Sequence, residues 1–142
     1  MTMTANISWD GGVSFKAHAG TGHTVMMDGP AEKGGQDKGS RPMELMLMGL
    51  GGCTSFDVIS ILHKSRQDVV DCEAMITAER ADAIPAVFTK VHVHFVVSGR
   101  RLKEKVVARA IRLSAEEYCS ASIMLEQAGV EISHDFEIVE VA

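Results

Sequence analysis

Apolar residues follow two different periods along this chain. From Leu45 to Leu62 they cover nearly every side of a helix: Leu45, Met46, Leu47, Met48 and Leu50 in its first half, Val58, Ile59, Ile61 and Leu62 in its second. Pro42 suits a first helical turn, whose N–H groups have no intrahelical partner. Ser40 just ahead of it can cap, and Lys64 and Arg66 place positive charge at the C-terminal end of the dipole. The pattern predicts a long buried helix over Arg41 to Gln67, interrupted by Gly49, Gly51 and Gly52 directly before Cys53. Each glycine costs roughly 1 kcal/mol of helix propensity relative to alanine, a cost that makes sense where another backbone or a ligand comes close to the sulfur.

On either side of this helix the period shortens. Ile7 to Ala17, broken by Gly11-Gly12, and His23 to Met27, after the turn signal Gly20-Thr21-Gly22, predict a β-hairpin. Gly29 to Ser40 reads as a Gly-rich polar loop without the spacing of a phosphate cradle. Beyond Gln67, Glu73 to Ala81 and Thr89 to Val97 alternate around an Asp82 to Pro85 turn and predict a second hairpin. Lys103 to Tyr118 is amphipathic, with Val106, Val107, Ala110, Ile111 and Leu113 on one face. Ser120 to Gly129 reads as a short helical turn, and Val130 to Val141 as a final strand. The order ββ-α-ββ-α-β has no run of βαβ units and predicts an α+β fold with mainly antiparallel strands, residues 1–142 forming a single domain. One small sheet and one second helix do not cover a helix that is apolar all round. A second copy of the chain is the simplest cover.

Composition narrows the function. The 142 residues are 46% hydrophobic with 9 Met but one Trp and one Tyr, so the core is aliphatic, and the net charge of −5 with no basic run argues against nucleic acid or an anionic membrane as partner. The charge-free run Leu45 to Phe56 is short for a bilayer span, and the N-terminus has no export signal, so a cytoplasmic location is expected. Three cysteines in a reducing compartment are inert or are chemistry, because no CxxC or Cys/His spacing resembles a zinc site. His92 and His94 share one strand face with no third ligand nearby in sequence, so no metal is expected there or elsewhere. Cys72, after Asp71 at a strand start, reads as structural.

A thiolate nucleophile needs a nearby cation or a helix N-terminus. Cys53 lies about three turns into its helix, beyond the reach of the dipole, and Asp57 one turn later on the same face opposes its ionisation. Candidate cations are Arg41 or Arg66 from a partner's helix, or Arg112, seven residues before Cys119 and so on the same face of a regular helix. The apolar neighbours Met46, Leu47, Leu50 and Phe56 are the candidate substrate surface, suited to a lipophilic molecule.

Pro42-x-x-Leu45, Gly51-Gly52-Cys53 and Glu117-Tyr118-Cys119-Ser120-x-Ser122, together with the element order, resemble the osmotically induced protein C / organic hydroperoxide resistance (OsmC/Ohr) family over essentially the whole chain. The resemblance implies an intertwined homodimer with two long helices central and antiparallel sheets wrapped outside. It also implies a redox cysteine pair at the interface: Cys53 attacking a hydroperoxide, Cys119 resolving it, no cofactor, and an external thiol, protein or small molecule, as reductant. The peroxidases of the family resemble one another in an N-terminal arginine, whereas residues 1–40 here hold none, and in a glutamate directly after the helix-start proline, where this chain has Met43 and then Glu44. Nine residues at about 100° each put Glu44 roughly 180° around the helix from Cys53, so it cannot easily serve its own Cys53 as an activating group. Cys-Pro of the family is Cys119-Ser120 here. Two readings therefore stand: a thiol-dependent hydroperoxide reductase, or a non-catalytic dimer that binds a small hydrophobic ligand in its interface cleft.

Overall fold

A computed structural model describes residues 1–142. The order is β1 (Ala5–Trp9), β2 (Phe15–Ala19), β3 (Thr24–Met27), α1 (Pro42–Lys64), β4 (Asp68–Arg80), β5 (Phe88–Arg100), α2 (Glu104–Leu113), α3 (Ser120–Gln127) and β6 (Glu131–Glu140). The chain divides into two compact units, Met1–Met48 and Gly49–Ala142.

In the first unit β1, β2 and β3 form an antiparallel meander. Three strands stand where the pattern predicts two, because Gly11-Gly12 is itself a turn: both glycines take positive φ, and Ser14 N–H donates to the Gly11 carbonyl at 2.9 Å. Ile7, Trp9, Phe15 and Val25 remain exposed on this sheet. The polar loop that follows is organised by Asp28, which is 1% exposed and accepts from the backbone N–H groups of Gly29, Gln36 and Lys38 at 2.8, 2.9 and 3.1 Å. These donors, Gln36 foremost, hold its carboxyl down to about 2 against the opposing effect of burial. Ser40 does not cap α1. The Arg41 carbonyl accepts the first helical bond from Leu45, and the Arg41 N–H donates to Glu44 Oε1 at 2.8 Å, the returning half of a capping box. Ser40 instead bridges to Met27.

In the second unit the burial of α1 is a stripe: Leu50, Thr54, Val58 and Leu62 are buried at i, i+4 spacing, whereas Phe56 is 74% exposed. The helix expected to be buried on all sides is covered on one. By length and composition it could cross a membrane, contrary to the reading from its charge-free run, but the buried stripe is that of a core helix. It stops in a Schellman turn: Gln67 N–H donates to the Leu62 carbonyl and Arg66 N–H to that of His63, with Arg66 at φ 59° in the left-handed position usually held by glycine. Of the glycines before Cys53, only Gly51 is closely approached, since a Cβ there would lie 2.8 Å from Ile76 Cδ1 on β4. At Gly49 and Gly52 nothing comes within 4 Å.

β4 and β5 form the second hairpin. β4 starts at Asp68, so Cys72 lies inside the strand rather than at its start. Val91, Val93, Phe95 and Val97 are buried on one face of β5, as are Val107, Ala110 and Ile111 on α2, and His92 and His94 stand on the other face of β5. β6 joins β5 in parallel after the α2–α3 crossover. The fold is α+β with mainly antiparallel pairing, as the pattern predicts, plus this one parallel pair. The helix predicted over Lys103 to Tyr118 ends at Leu113 and gives way to a π-turn, Ser114–Tyr118, while the short helical turn predicted over Ser120 to Gly129 is α3, a helix of 8 residues.

Candidate functional site

Cys53 and Asp57 lie one turn apart on α1, and Cys119 joins them from the junction between the π-turn and α3. The two sulfurs and an Asp57 carboxylate oxygen all lie within 4.8 Å of one another. The π-turn is what brings Cys119 there. Its N–H donates to the Ser114 carbonyl at 2.7 Å, five residues back, which leaves Cys119 extended at φ −75°, ψ 102°. Cys119 thereby caps α3, its Sγ accepting from Ser122 N–H at 3.4 Å.

A buried hydroxyl pair supports the carboxylate. Ser114 Oγ lies 2.8 Å from Thr54 Oγ1 and donates to Asp57 Oδ2 at 3.1 Å, with the Thr54 carbonyl at 3.3 Å as its other acceptor. Ser114 and Thr54 are both fully buried. The Ser122 hydroxyl, also fully buried, has no hydrogen-bond partner.

Burial pushes the Cys119 thiol up to about 11; the Ser122 N–H opposes this, and Cys53 and Asp57 add to it. Cys119 is therefore protonated at neutral pH and closed to solvent, whereas Cys53 is half-buried, so a reagent entering from solvent meets Cys53 first. Cys72 stands apart on β4, its thiol raised by burial and then by Asp71.

The other sequence candidates are dispersed. Glu44 is engaged by the Arg41 N–H at the helix start, and Arg66 forms the helix stop. Arg112 is exposed and lines a cavity of about 610 Å³ with Ile111, His134 and Asp135. The seven-residue spacing that put it beside Cys119 assumed an unbroken α-helix, and the π-turn breaks that phase. Leu50 is 1% exposed and belongs to the core, so Met46 and Phe56 are the substrate candidates with surface to offer. A cation that sequence reasoning missed, Arg109, lines an open groove of about 570 Å³ with Phe56, Asp57 and Tyr118. Thr54 and Ser114 were also missed. The signal for Thr54 was a single polar residue in the apolar stripe Leu50–Val58–Leu62.

His92 and His94 have a nearby acid after all, distant in sequence, because parallel pairing puts β6 beside them. Asp135 Oδ1 lies 2.8 Å from His92 Nε2 and 2.7 Å from His94 Nδ1, and His94 Nε2 lies 3.0 Å from Glu137 Oε2. A carboxylate only accepts, so these contacts favour the doubly protonated ring: the His94 pKa is raised, by Asp135 first and then Glu137, while that of Asp135 is lowered. His134, on the inner face, stacks on Phe95, and burial lowers its pKa.

Comparison with known proteins agrees with this architecture. Residues 35–135 match the family model described as OsmC-like protein. The chain is 49% identical to Protein YhfA of Escherichia coli strain K12 over 96% of its own length and 98% of the relative's. A crystal structure of a hypothetical protein from Aquifex aeolicus VF5 superposes with a TM-score of 0.87 at 25% identity, covering 100% of this chain and 99% of that one. An organic hydroperoxide resistance protein OsmC from Legionella pneumophila shares the fold at a TM-score of 0.72 and 16% identity, covering 99% and 98%. The chain belongs to the OsmC-like family.

Proposed function

We propose that this protein is a two-cysteine peroxidase for organic hydroperoxides, with Cys53 as the attacking and Cys119 as the resolving thiol. The observation that carries this is the approach of the two sulfurs to within 4.8 Å, with one half-exposed and the other fully buried. Cys53 takes the terminal peroxide oxygen, the O–O bond breaks, and an alcohol leaves. The Cys53 sulfenic acid then condenses with the Cys119 thiol, releasing water and forming the disulfide. That bond needs the sulfurs at about 2.05 Å, reached by side-chain rotation. Two equivalents of an external thiol restore the dithiol. Phe56 and Tyr118 give the adjoining groove apolar surface for a lipophilic peroxide, and Arg109 on its wall is the cation we assign to it.

The working form is a homodimer in the cytoplasm. The exposed Ile7 and Trp9 of one unit and the 74% exposed Phe56 of the other are apolar surfaces that one chain leaves uncovered. Reduced protein treated with an organic hydroperoxide should consume it and yield a Cys53–Cys119 bond, with Cys72 free by peptide mapping. Cys119→Ser should leave a trappable sulfenic acid on Cys53, and Cys53→Ser should abolish consumption. Formation of the bond by diamide without any peroxide consumption would overturn the catalytic reading and favour the ligand-binding one. Sedimentation as a monomer at micromolar concentration would remove the dimer.

A further inference from the structure

The same three side chains form a ligand set of another kind, and we propose that reduced Cys53, Cys119 and Asp57 bind a thiophilic divalent cation of the zinc class. This goes beyond the peroxidase reading and needs only the placement of the three residues. Zinc accepts thiolate sulfur at about 2.3 Å and carboxylate oxygen at about 2.0–2.2 Å in a tetrahedron, which sets neighbouring ligand atoms roughly 3.5–4 Å apart. Here all three ligand atoms lie within 4.8 Å, so small rotations of side chains close the site.

Two ligands come from positions i and i+4 of one helix, the spacing that turns side chains to a common point in helical zinc sites. The third comes from a separate element, as a structural clip requires. No sequence pattern announced it, because positions 53, 57 and 119 are set side by side by the π-turn and not by spacing.

Outer contacts of the kind that tune metal ligands are already in place. Ser114 Oγ holds Asp57 Oδ2 at 3.1 Å and is itself backed by Thr54, and the Ser122 N–H points at Cys119 Sγ from 3.4 Å. Three protein ligands leave a fourth position for water or a small molecule, and Asp57 itself lines an open groove. Binding converts two thiols and a divalent ion into a metal dithiolate and two free protons. It consumes the sulfurs that a disulfide would use, so metal and disulfide exclude each other on this chain.

Cobalt(II) is the direct probe. Reduced, metal-free protein titrated with cobalt should develop a thiolate-to-metal charge-transfer band in the near ultraviolet and tetrahedral visible bands, saturating at one ion per chain. Zinc should bleach both, and unbuffered solution should acidify by two protons per ion. Cys72→Ser should keep the bands, while Cys53→Ser and Cys119→Ser should lose the charge-transfer band. Ser114→Ala should weaken binding about 10-fold or more. Wild-type protein oxidised with diamide should not bind, a control that requires no variant to fold. Absence of the band in reduced wild type, or its persistence in the two cysteine variants or in oxidised protein whose Cys53–Cys119 bond peptide mapping has verified, would overturn the proposal. Peroxide consumption is measured separately on metal-free protein, so either result can fail while the other stands.

Discussion

Ser114→Ala is the substitution whose cost can be worked from contacts within the second unit. It removes one hydroxyl that lies 2.8 Å from Thr54 Oγ1, 3.1 Å from Asp57 Oδ2 and 3.3 Å from the Thr54 carbonyl. A hydroxyl has one proton, so Ser114 donates to one acceptor at a time. With Asp57 as that acceptor, Thr54 is the donor to Ser114. Truncation strands the fully buried Thr54 hydroxyl, worth about 1–3 kcal/mol, and removes a charge-assisted bond that water partly replaces because Asp57 is only half-buried. The net cost is about 2–3 kcal/mol, or a fall of about 7–10 °C in Tm for a chain of 142 residues. Thr54→Val, close to isosteric, should cost about 1 kcal/mol or less, because Ser114 can still donate to Asp57. In the double variant both partners are gone and little remains stranded, so the effects should fall short of additive by about 1 kcal/mol. Urea denaturation of the four proteins at one protomer concentration reads this cycle. A cost below about 0.5 kcal/mol for Ser114→Ala, or strict additivity, would show that the hydroxyl pair does not couple.

Ser122→Ala should stabilise by about 1 kcal/mol, since it deletes a buried hydroxyl without a partner and leaves the backbone bond to Cys119 intact; clear destabilisation in the same denaturation assay would mean that the hydroxyl finds a partner in an assembly. Arg66→Gly should gain about 0.5–1 kcal/mol by relieving a left-handed residue at the stop of α1. The same urea denaturation reads it, and an unchanged or lower stability would refute the strain. Asp28→Asn should destabilise at neutral pH and flatten the acid limb. The folded carboxyl titrates at about 2 rather than the usual 3.8, so its contribution is complete above about pH 4 and is lost as pH falls through 2. Identical pH–stability profiles between pH 4 and 2 for the two proteins would refute the role given to the loop hydrogen bonds.

Elements with a strong local period were legible. Pro42 and the apolar run placed α1, strict alternation placed β5, and the stripe of Val107, Ala110 and Ile111 placed α2. What escaped depends on contacts distant in sequence or on small departures from a period. The parallel pairing that brings Asp135 between His92 and His94 joins residues about forty positions apart, and nothing local to either strand encodes it. Gly11-Gly12 looked like a flaw in one strand because a break and a tight turn leave the same mark in a short alternating segment. In the candidate site, Cys53 stood out behind its glycines, and its pairing with Cys119 came only from the resemblance to the OsmC/Ohr family. Ser114 did not stand out, since a serine in an amphipathic helix usually faces water, and only the core reveals that it lies opposite Thr54.

Ser114 stands where α2, well patterned as it is, gives way five residues before Cys119. A regular helix would carry residue 119 on along the axis of α2, in phase with Arg112. The π-turn inserts one residue per turn, and the Ser114 carbonyl accepts from the Cys119 N–H across that wider loop at 2.7 Å. The same residue's hydroxyl reaches across to Asp57. One serine therefore fixes two of the site's three members, the thiol through its backbone and the carboxylate through its side chain. Only the second link depends on the side chain. Ser114→Ala should separate them, leaving diamide able to form the Cys53–Cys119 bond while Asp57 is no longer held. If the variant loses the diamide bond yet still unfolds cooperatively, the hydroxyl network positions the sulfurs as well, and the division between backbone and side chain is wrong.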